Sequence, residues 1–432
     1  MLRLLSARPS AAPHRELSSF RKYTCPKTKR SNKTLSIATL ETKIQSKNPL
    51  ISIIMCSASP DNFVHEPKMA PSIEIPAGNS VNVSIIDCTV SLRAPLALFM
   101  GPVIPGLEVM SAPCLSFLIE HSGGRKLLFD LGLRKDWQNL PPAVLGLVQP
   151  PWKLEVQKNV AEILQENGVD VAGGAIDGII WSHWHFDHVG DPSTFPSSTD
   201  LIVGPGVVDY LLPGYPGNPN GVLSESAFAG RETKTIDFKA KAFKIGAFPA
   251  FDFFGDGSFY LLDVPGHAIG HICGLARTTS KAEGSSGDTF VFMGADTAHH
   301  TGAFRPTEYL PLPKEISPSP CERVHPTVCS GHLFQAIHPE HRGDKPHLNI
   351  VEGIPNDTQQ AISSLKDMQE FDAMENILAI IAHDASLLRP EAGIEWFPHA
   401  TMRDWKQKDL ASKARWGFLR DYSHAVEINQ AK

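Results

Sequence analysis

The sequence lacks a long apolar run, a basic block and internal repeats. Among its 432 residues, no stretch approaches the roughly 18 to 20 consecutive apolar residues that a membrane span requires, since even residues 94–110 are interrupted by proline and glycine. We therefore predict no transmembrane helix and no membrane partner. No long run of lysine and arginine follows residue 70 and the formal net charge is -6, so nucleic acid is not an expected partner. The absence of short-period repeats argues against a solenoid.

The sequence also has few cysteines. There are seven, an odd number at irregular spacings, which argues against a disulfide framework. Such usage suits a reducing compartment, so we expect an intracellular protein, either cytoplasmic or mitochondrial.

Acidic residues are scarce at the N-terminus. Residues 1–36 contain nine Arg or Lys residues and one acid, Glu16, a composition typical of a mitochondrial transit peptide. The alternatives are a basic leader without fixed structure, or an upstream start codon on a protein whose working start is Met55 or Met69. We assign residues 1–75 to a disordered leader or transit peptide and residues 76–432 to a single catalytic domain.

Short apolar runs bounded by turns predict strands from residue 80 onwards, and they fall into two successive sets. Apolar spacing of three and four predicts one helix over residues 152–164 and another over residues 358–371. Two sets of strands with helices suit two sheets packed face to face with helices outside. The Pro- and Gly-rich segments 97–113 and 301–355 are predicted to be loops near a functional site, the second of them an insertion.

The stretch SHWHFDHVGD places three histidines and two aspartates in ten residues, directly after an apolar run. Three further apolar runs also end in side chains that can bind a metal. The candidate ligands, in chain order, are His183, His185, Asp187, His188, His271, Asp296 and His383. Because strand ends are rigid platforms, we expect these side chains to converge.

Imidazole and carboxylate groups together form a ligand set that suits zinc and similar divalent ions. His183 and His185, two residues apart in an extended segment, point the same way, whereas the adjacent Asp187 and His188 must diverge. Five histidines and two carboxylates therefore predict two divalent cations, with Zn²⁺ favoured.

The motifs HWHFDH, PGHAIGH, GADT and IAHD resemble those of the metallo-β-lactamase superfamily, over about residues 80–400. The resemblance implies an α/β fold, a four-layer αβ/βα sandwich with the metals at one edge. It implies that the first cation binds His183, His185 and His271, and that the second binds Asp187, His188 and His383, with Asp296 bridging. His267 would then be a loop residue, and Asp130 would support the metal loop.

Within the superfamily, the sequence looks most like lactonase-type hydrolases and fungal lactamases. The resemblance implies hydrolysis of a small-molecule substrate, a cyclic ester or amide, by a hydroxide that bridges the two cations. Asp187 would orient the hydroxide and then carry a proton to the leaving atom. His299 stands where lactonases tend to have a tyrosine, and would donate to the substrate carbonyl.

The sequence leaves three alternatives to a lactone or lactam hydrolase. A thioesterase of the glyoxalase II type would use the same hydroxide. A mononuclear iron persulfide dioxygenase would use His183, His271 and Asp296. A non-catalytic binding module would not need a complete ligand set for two metals. The sequence does not predict an oligomeric state.

Overall fold

Two mixed six-stranded sheets dominate the computed structural model, which describes residues 62–240 and 243–432. In hydrogen-bonded order, the strands of the first sheet are Val81–Asp87, Leu115–His121, Lys126–Phe129, Gly178–Ile180, Asp200–Val203 and Thr233–Thr235. Those of the second sheet are Phe243–Ile245, Phe248–Asp252, Phe259–Asp263, Ile272–Thr279, Thr289–Met293 and Ile377–Ile380. In the first sheet, the first two pairs of neighbouring strands are antiparallel and the other three are parallel. In the second sheet, the first four pairs are antiparallel and the last is parallel.

Alternating side chains pack the two sheets face to face. In the first strand, Val83 and Ile85 lie in the cluster between the sheets, while Ile86 belongs to the outer cluster. Successive side chains of a strand point to opposite faces, so a run that is apolar on both faces buries both. The inner cluster joins Phe117 of the first sheet to Phe259 of the second.

Helices cover the outer faces of the sheets. The α-helices of the described residues are Pro142–Leu145, Val160–Glu166, Phe186–Val189, Val207–Leu211, Gly331–Ile337, Thr358–Asp372, Leu410–Arg415 and Ser423–Gln430. The longest begins as predicted, because the side chain of Asp357 accepts a hydrogen bond from Gln360 N at 3.0 Å. The layer order αβ/βα predicted from the sequence is confirmed. None of the described helices has both the length and the apolar character of a membrane span.

The predicted helix over residues 152–164 is wrong in its first half. Lys153–Val156 is a strand that pairs with residues 90–93, and the helix is limited to Val160–Glu166. A capping box fixes its start, since the Asn159 backbone N–H donates to the Glu162 carboxylate at 2.8 Å. The apolar side chains of Trp152 and Val156 satisfied a helical spacing by coincidence.

The two segments predicted as loops contain short strands, and one pair of these strands joins the two segments. Small sheets join Met100–Gly101 to Asn349–Ile350, Glu315–Ile316 to Cys329–Ser330, and Val90–Pro95 to both Val109–Ala112 and Lys153–Val156. The segment 97–113 is therefore attached to the segment 301–355 by backbone hydrogen bonds. Both are ordered additions to the sandwich.

The N-terminal segment contacts the domain earlier than the boundary at residue 75. Val64 N–H donates to Leu312 O at 2.8 Å, and Lys68 N–H donates to Glu308 O at 2.8 Å. Contacts with residues 76–432 thus begin by residue 64. The basic leader, residues 1–36, lies outside the described residues.

Candidate metal centre

Four segments that follow strands meet at one edge of the sandwich. They follow Gly178–Ile180 in the first sheet and Phe259–Asp263, Thr289–Met293 and Ile377–Ile380 in the second. The three strands of the second sheet run in the same direction, because two antiparallel steps restore the direction and the last pair is parallel. Their carboxyl ends therefore lie at the same edge, where the predicted ligands were expected.

The first group of side chains at this edge contains three imidazoles and one carboxylate. Nε2 of His183 lies 2.9 Å from Nδ1 of His185. Nε2 of His267 lies 3.2 Å from the former atom and 3.0 Å from the latter. Oδ2 of Asp296 lies 3.5 Å from His267 Nε2 and 3.7 Å from His183 Nε2. Three ring nitrogens and a carboxylate oxygen thus surround one point.

The second group lies on the other side of the same carboxylate. Oδ1 of Asp296 is 3.1 Å from Nε2 of His188 and 3.1 Å from Nε2 of His383. Oδ2 of Asp187 lies 3.6 Å from the same nitrogen of His383. Asp296 therefore faces the first group with one oxygen and the second group with the other.

Unpaired buried atoms indicate that the second group is suited to a cation. Nε2 of His188 and Oδ1 of Asp296 are buried and 3.1 Å apart, yet neither forms a hydrogen bond with any described residue. Buried polar atoms are normally satisfied, so a nitrogen and an oxygen that lie this close without forming a hydrogen bond point to a missing partner. A divalent cation fits such a donor set of imidazole and carboxylate groups.

The protonation states differ between the two groups. Burial lowers the pKa of His185 to about 4 and holds the pKa values of His183 and His267 well below the usual range. Burial would also lower the pKa of His188, but the carboxylates of Asp296 and Asp130 outweigh it and raise that pKa. The first group therefore contains neutral imidazoles, the form that binds metals.

Hydrogen bonds behind the ligand atoms fix the orientation of the second group. His188 Nδ1 donates to Oδ2 of Asp130 at 2.8 Å, and Asp130 also accepts from the backbone N–H and the hydroxyl of Ser182, each at 2.7 Å. His383 Nδ1 donates to Pro113 O at 2.8 Å. Both rings therefore present Nε2 to the cluster. Asp130 adopts a φ of 61°, a backbone strain that concentrates at functional sites.

The structure brings His267, and not the predicted His271, into the first group of donor atoms. Nδ1 of His271 donates to Val264 O at 2.8 Å, and its ring centroid lies 5.3 Å from that of His183. His271 immediately precedes the return strand Ile272–Thr279, whereas His267 lies just beyond the carboxyl end of the outgoing strand. All the other candidates also follow a carboxyl end, so the same rule applied consistently would have selected His267.

The turn that carries His267 is held by close backbone packing. Gly266 has a φ of +120°, and a Cβ there would lie 2.2 Å from the backbone nitrogen of Ala361. Asn356 N–H donates to His267 O at 3.0 Å. Only glycine lets the turn lie against the start of the helix Thr358–Asp372, and this contact fixes the imidazole.

His299 lies beside the shared carboxylate. Its Nε2 is 3.2 Å from Oδ2 of Asp296, and its ring centroid is 4.9 Å from that of Phe99. Phe99 contacts Trp152 edge-on, with centroids 5.6 Å apart, and Trp152 in turn lies 6.4 Å from Phe186. The segment 97–113 therefore contributes one aromatic side chain of a wall next to the cluster. Phe304, in the other segment, is fully buried in the core.

Cys114, like His267, lies with the candidate ligands but was not predicted from the sequence to be one of them. Sγ of Cys114, a carboxylate oxygen of Asp187 and a ring nitrogen of His383 lie within 4.8 Å of one another, and all three residues are buried. Burial raises the pKa of this thiol. Its position before an apolar strand was a weak signal, because buried cysteines commonly act as small apolar residues.

A family model described as the metallo-β-lactamase superfamily matches residues 111–278. The chain is 41% identical over 367 residues to the γ-lactamase FDB1 of Fusarium pseudograminearum (strain CS3096), which covers 82% of this chain and 86% of that protein. It is also 41% identical over 363 residues to the metallo-hydrolase mfmC of Annulohypoxylon moriforme. The aligned region covers 83% of this chain and 92% of that protein.

Solved structures with a similar fold include an N-acyl homoserine lactone hydrolase with the product N-hexanoyl-L-homoserine bound at its catalytic metal centre. The sequence identity to it is 17%, the match covers 75% of this chain and 99% of that one, and the TM-score is 0.48.

Proposed function

The chain belongs to the metallo-β-lactamase superfamily and is a hydrolytic enzyme of that fold, and we propose that it opens a small cyclic ester or amide, a lactone or a lactam. In this proposal the two groups that share Asp296 hold two divalent cations, with Zn²⁺ favoured. The relatives named as a γ-lactamase and a metallo-hydrolase support this class of reaction.

The observation that carries the proposal is the position of Asp296 between the groups. Each of its oxygens faces a different set of imidazoles, at 3.1 Å on one side and 3.2–3.7 Å on the other. One shared carboxylate between two complete donor sets is the arrangement that a pair of neighbouring cations requires. We assign His183, His185 and His267 to the first cation, and Asp187, His188 and His383 to the second.

When bound, such a pair would lower the pKa of water to about 7 and polarise a carbonyl group. The residues of this chain fix the remaining geometry. The ring of His383 is oriented by its hydrogen bond to Pro113 O, and the ring of His188 by its hydrogen bond to Asp130. These supports keep the donor atoms in place before a substrate arrives, so less reorganisation is needed during the reaction.

Asp187 is the carboxylate that we assign to proton transfer. Its side chain is 11% exposed, whereas that of Asp296 is 2% exposed and enclosed by imidazoles. The more open carboxylate can reach a substrate. In this role an oxygen of Asp187 holds the proton released by the attacking water and passes it to the leaving oxygen or nitrogen.

His299 is assigned to the substrate carbonyl. Its Nε2 faces the centre, and its ring is packed against Phe99. A donor directed at the developing oxyanion is typically worth about 3 kcal/mol in such sites. The position next to the aromatic wall would bring the carbonyl of a compact ring within reach of that nitrogen.

The proposal is tested by metal analysis combined with product analysis. We expect about two divalent cations per chain, and a mass gain of one water when γ-lactones or γ-lactams are supplied. Removal of the cations with a chelator should abolish turnover, and addition of Zn²⁺ should restore it.

A matched set of substrates separates the alternatives. An open-chain thioester of similar size, hydrolysed faster than every ring, would favour a thioesterase. About one iron per chain with oxygen-dependent turnover of a persulfide would favour the dioxygenase. Either result would overturn the proposal.

A further inference from the structure

The thiol of Cys114 lies against the second group, outside the ligand sets assigned above. Cys114 is 1% exposed and stands directly before the strand Leu115–His121. Its Sγ lies within 4.8 Å of potential ligand atoms of Asp187 and His383. A thiol, a carboxylate and an imidazole are all donors that zinc accepts.

Backbone hydrogen bonds on both sides of Cys114 hold the thiol in this position. The residue before it, Pro113, accepts the bond from His383 Nδ1 at 2.8 Å. The residue after it, Leu115, donates its N–H to Ala382 O at 3.1 Å. The segment that carries the thiol and the segment that carries the imidazole are therefore fixed to each other at two successive points.

The surroundings of Cys114 differ from those of the other two buried thiols near the sheets. Sγ of Cys88 lies 2.9 Å from the Ser116 hydroxyl, and Sγ of Cys273 lies 3.2 Å from the Thr297 hydroxyl. Those thiols have neutral hydrogen-bonding partners, as small core residues do. Cys114 instead faces the carboxylate and imidazole of a donor set.

A neighbouring group of donor atoms, which shares His383 with the group that contains Cys114, contains buried atoms that lack partners. Nε2 of His188 and Oδ1 of Asp296 form no hydrogen bond with the described residues, and that oxygen is 3.1 Å from Nε2 of His383. This observation does not involve the cysteine, and it independently points to a ligand at the second group.

We propose that Cys114 binds the second cation as a thiolate, together with Asp187, His188, His383 and Asp296. This inference rests on the proposed function, because it requires the two-cation centre. On binding, the S–H bond of Cys114 breaks, a sulfur–metal bond forms and the proton is released to solvent. A thiolate makes the second site softer than the first, so it should select Zn²⁺, Cd²⁺ or Co²⁺ over Mg²⁺.

Zinc X-ray absorption of the wild-type protein tests the inference without a variant. We expect a sulfur neighbour at about 2.3 Å in addition to nitrogen and oxygen at about 2.0–2.2 Å. Because only one of two zinc ions would bind Cys114, the average should be about half a sulfur per zinc. Protein that holds two zinc ions with nitrogen and oxygen neighbours alone would overturn the role of Cys114 and leave the proposed function intact. Protein that binds no cation would overturn both.

A cobalt titration with matched variants provides the second test. Addition of Co²⁺ to metal-free protein should produce a near-ultraviolet thiolate charge-transfer band. Cys114→Ser should abolish the band and weaken the second binding step by roughly tenfold or more. Loss of a residue that only hydrogen-bonds to a ligand already costs about that much, so loss of a ligand should cost at least as much. Cys88→Ser, a change at a neighbouring buried thiol, should retain both the band and the affinity. An unchanged band in Cys114→Ser would overturn the inference.

Discussion

The two groups that share Asp296 differ in how they are held together without a cation. In the first, three imidazoles face one another at 2.9–3.2 Å, and burial keeps their pKa values low. In the second, two imidazoles face carboxylates, which raise the pKa values of His188 and His383 against the opposing effect of burial. The imidazoles of the first group are neutral, whereas those of the second group form ion pairs with carboxylates.

This difference indicates what each cation must displace. A cation at the first group meets neutral nitrogens and displaces no proton. A cation at the second group must displace the protons that the carboxylates hold on His188 and His383. We therefore expect the two cations to respond differently to substitution and to pH, and the predictions below test that contrast.

The largest effect is expected from substitution of Asp296, because this residue belongs to both groups. Asp296→Asn removes the anion from both groups, so both cations and nearly all turnover should be lost. In the metal-free protein it also removes the buried carboxylate that His188 and His383 share, which should lower the free energy of unfolding by about 3–5 kcal/mol. Metal content, turnover and chemical denaturation measure these effects. Asp263→Asn, at the end of the strand before His267, is the control, and an equal loss there would show that the effect is not specific.

A loss confined to the second group is expected from Asp187→Asn. The amide cannot carry the proton, and it holds the second cation less tightly, so kcat should fall by about 10²–10⁴-fold. The first cation should remain. The change affects a partly open side chain, so the circular dichroism spectrum should match that of the wild type. Near-normal turnover in this variant would contradict the assigned role.

A loss confined to the first group is expected from His267→Ala, which should retain about one cation per chain. The matched variant is His271→Ala, in the same turn, because the two histidines compete for the same assignment. His271 lies outside the groups of donor atoms, so its loss should leave about two cations in place. The opposite pattern of metal content would restore the assignment made from the sequence.

Acid should remove the second cation before the first. His188 and His383 have raised pKa values, so protons compete with the second cation even near neutral pH and more strongly as the pH falls. The pKa of His185 is lowered to about 4, so protons compete with the first cation only near that pH. We expect about two cations per chain at pH 8 and about one near pH 5, measured after equilibration with buffered Zn²⁺. Simultaneous loss of both would remove the distinction between the groups.

The sequence predicted the sandwich and most of the side chains that meet at its edge, because both depend on local patterns. Apolar runs define the strands, and ligand-type residues directly after them must lie at a sheet edge. The choice between His267 and His271 depends on how a turn packs on a helix, through Gly266 and Ala361. Cys114 reaches the centre only through pairing between distant segments, which no local pattern reveals.

The smallest effect concerns substrate choice, which we expect from the wall beside the groups. The Phe99 ring lies 4.9 Å from the ring of His299 and is 7% exposed, so Phe99→Ala should open space where a compact ring would lie. The variant should favour a long acyl ester over a small lactam more than the wild type does, while metal content stays unchanged. The change in the ratio of their kcat/KM values should correspond to about 1–3 kcal/mol. Leu98→Ala is the matched control, because that neighbouring side chain is 43% exposed and lies outside the contacts of His299 described above. Equal ratios in both variants and the wild type would show that the wall does not select the substrate. Phe304, in the segment 301–355 that was predicted to lie near the site, is 1% exposed in the core. Its truncation should therefore cost about 3–5 kcal/mol of stability without a comparable change in that ratio.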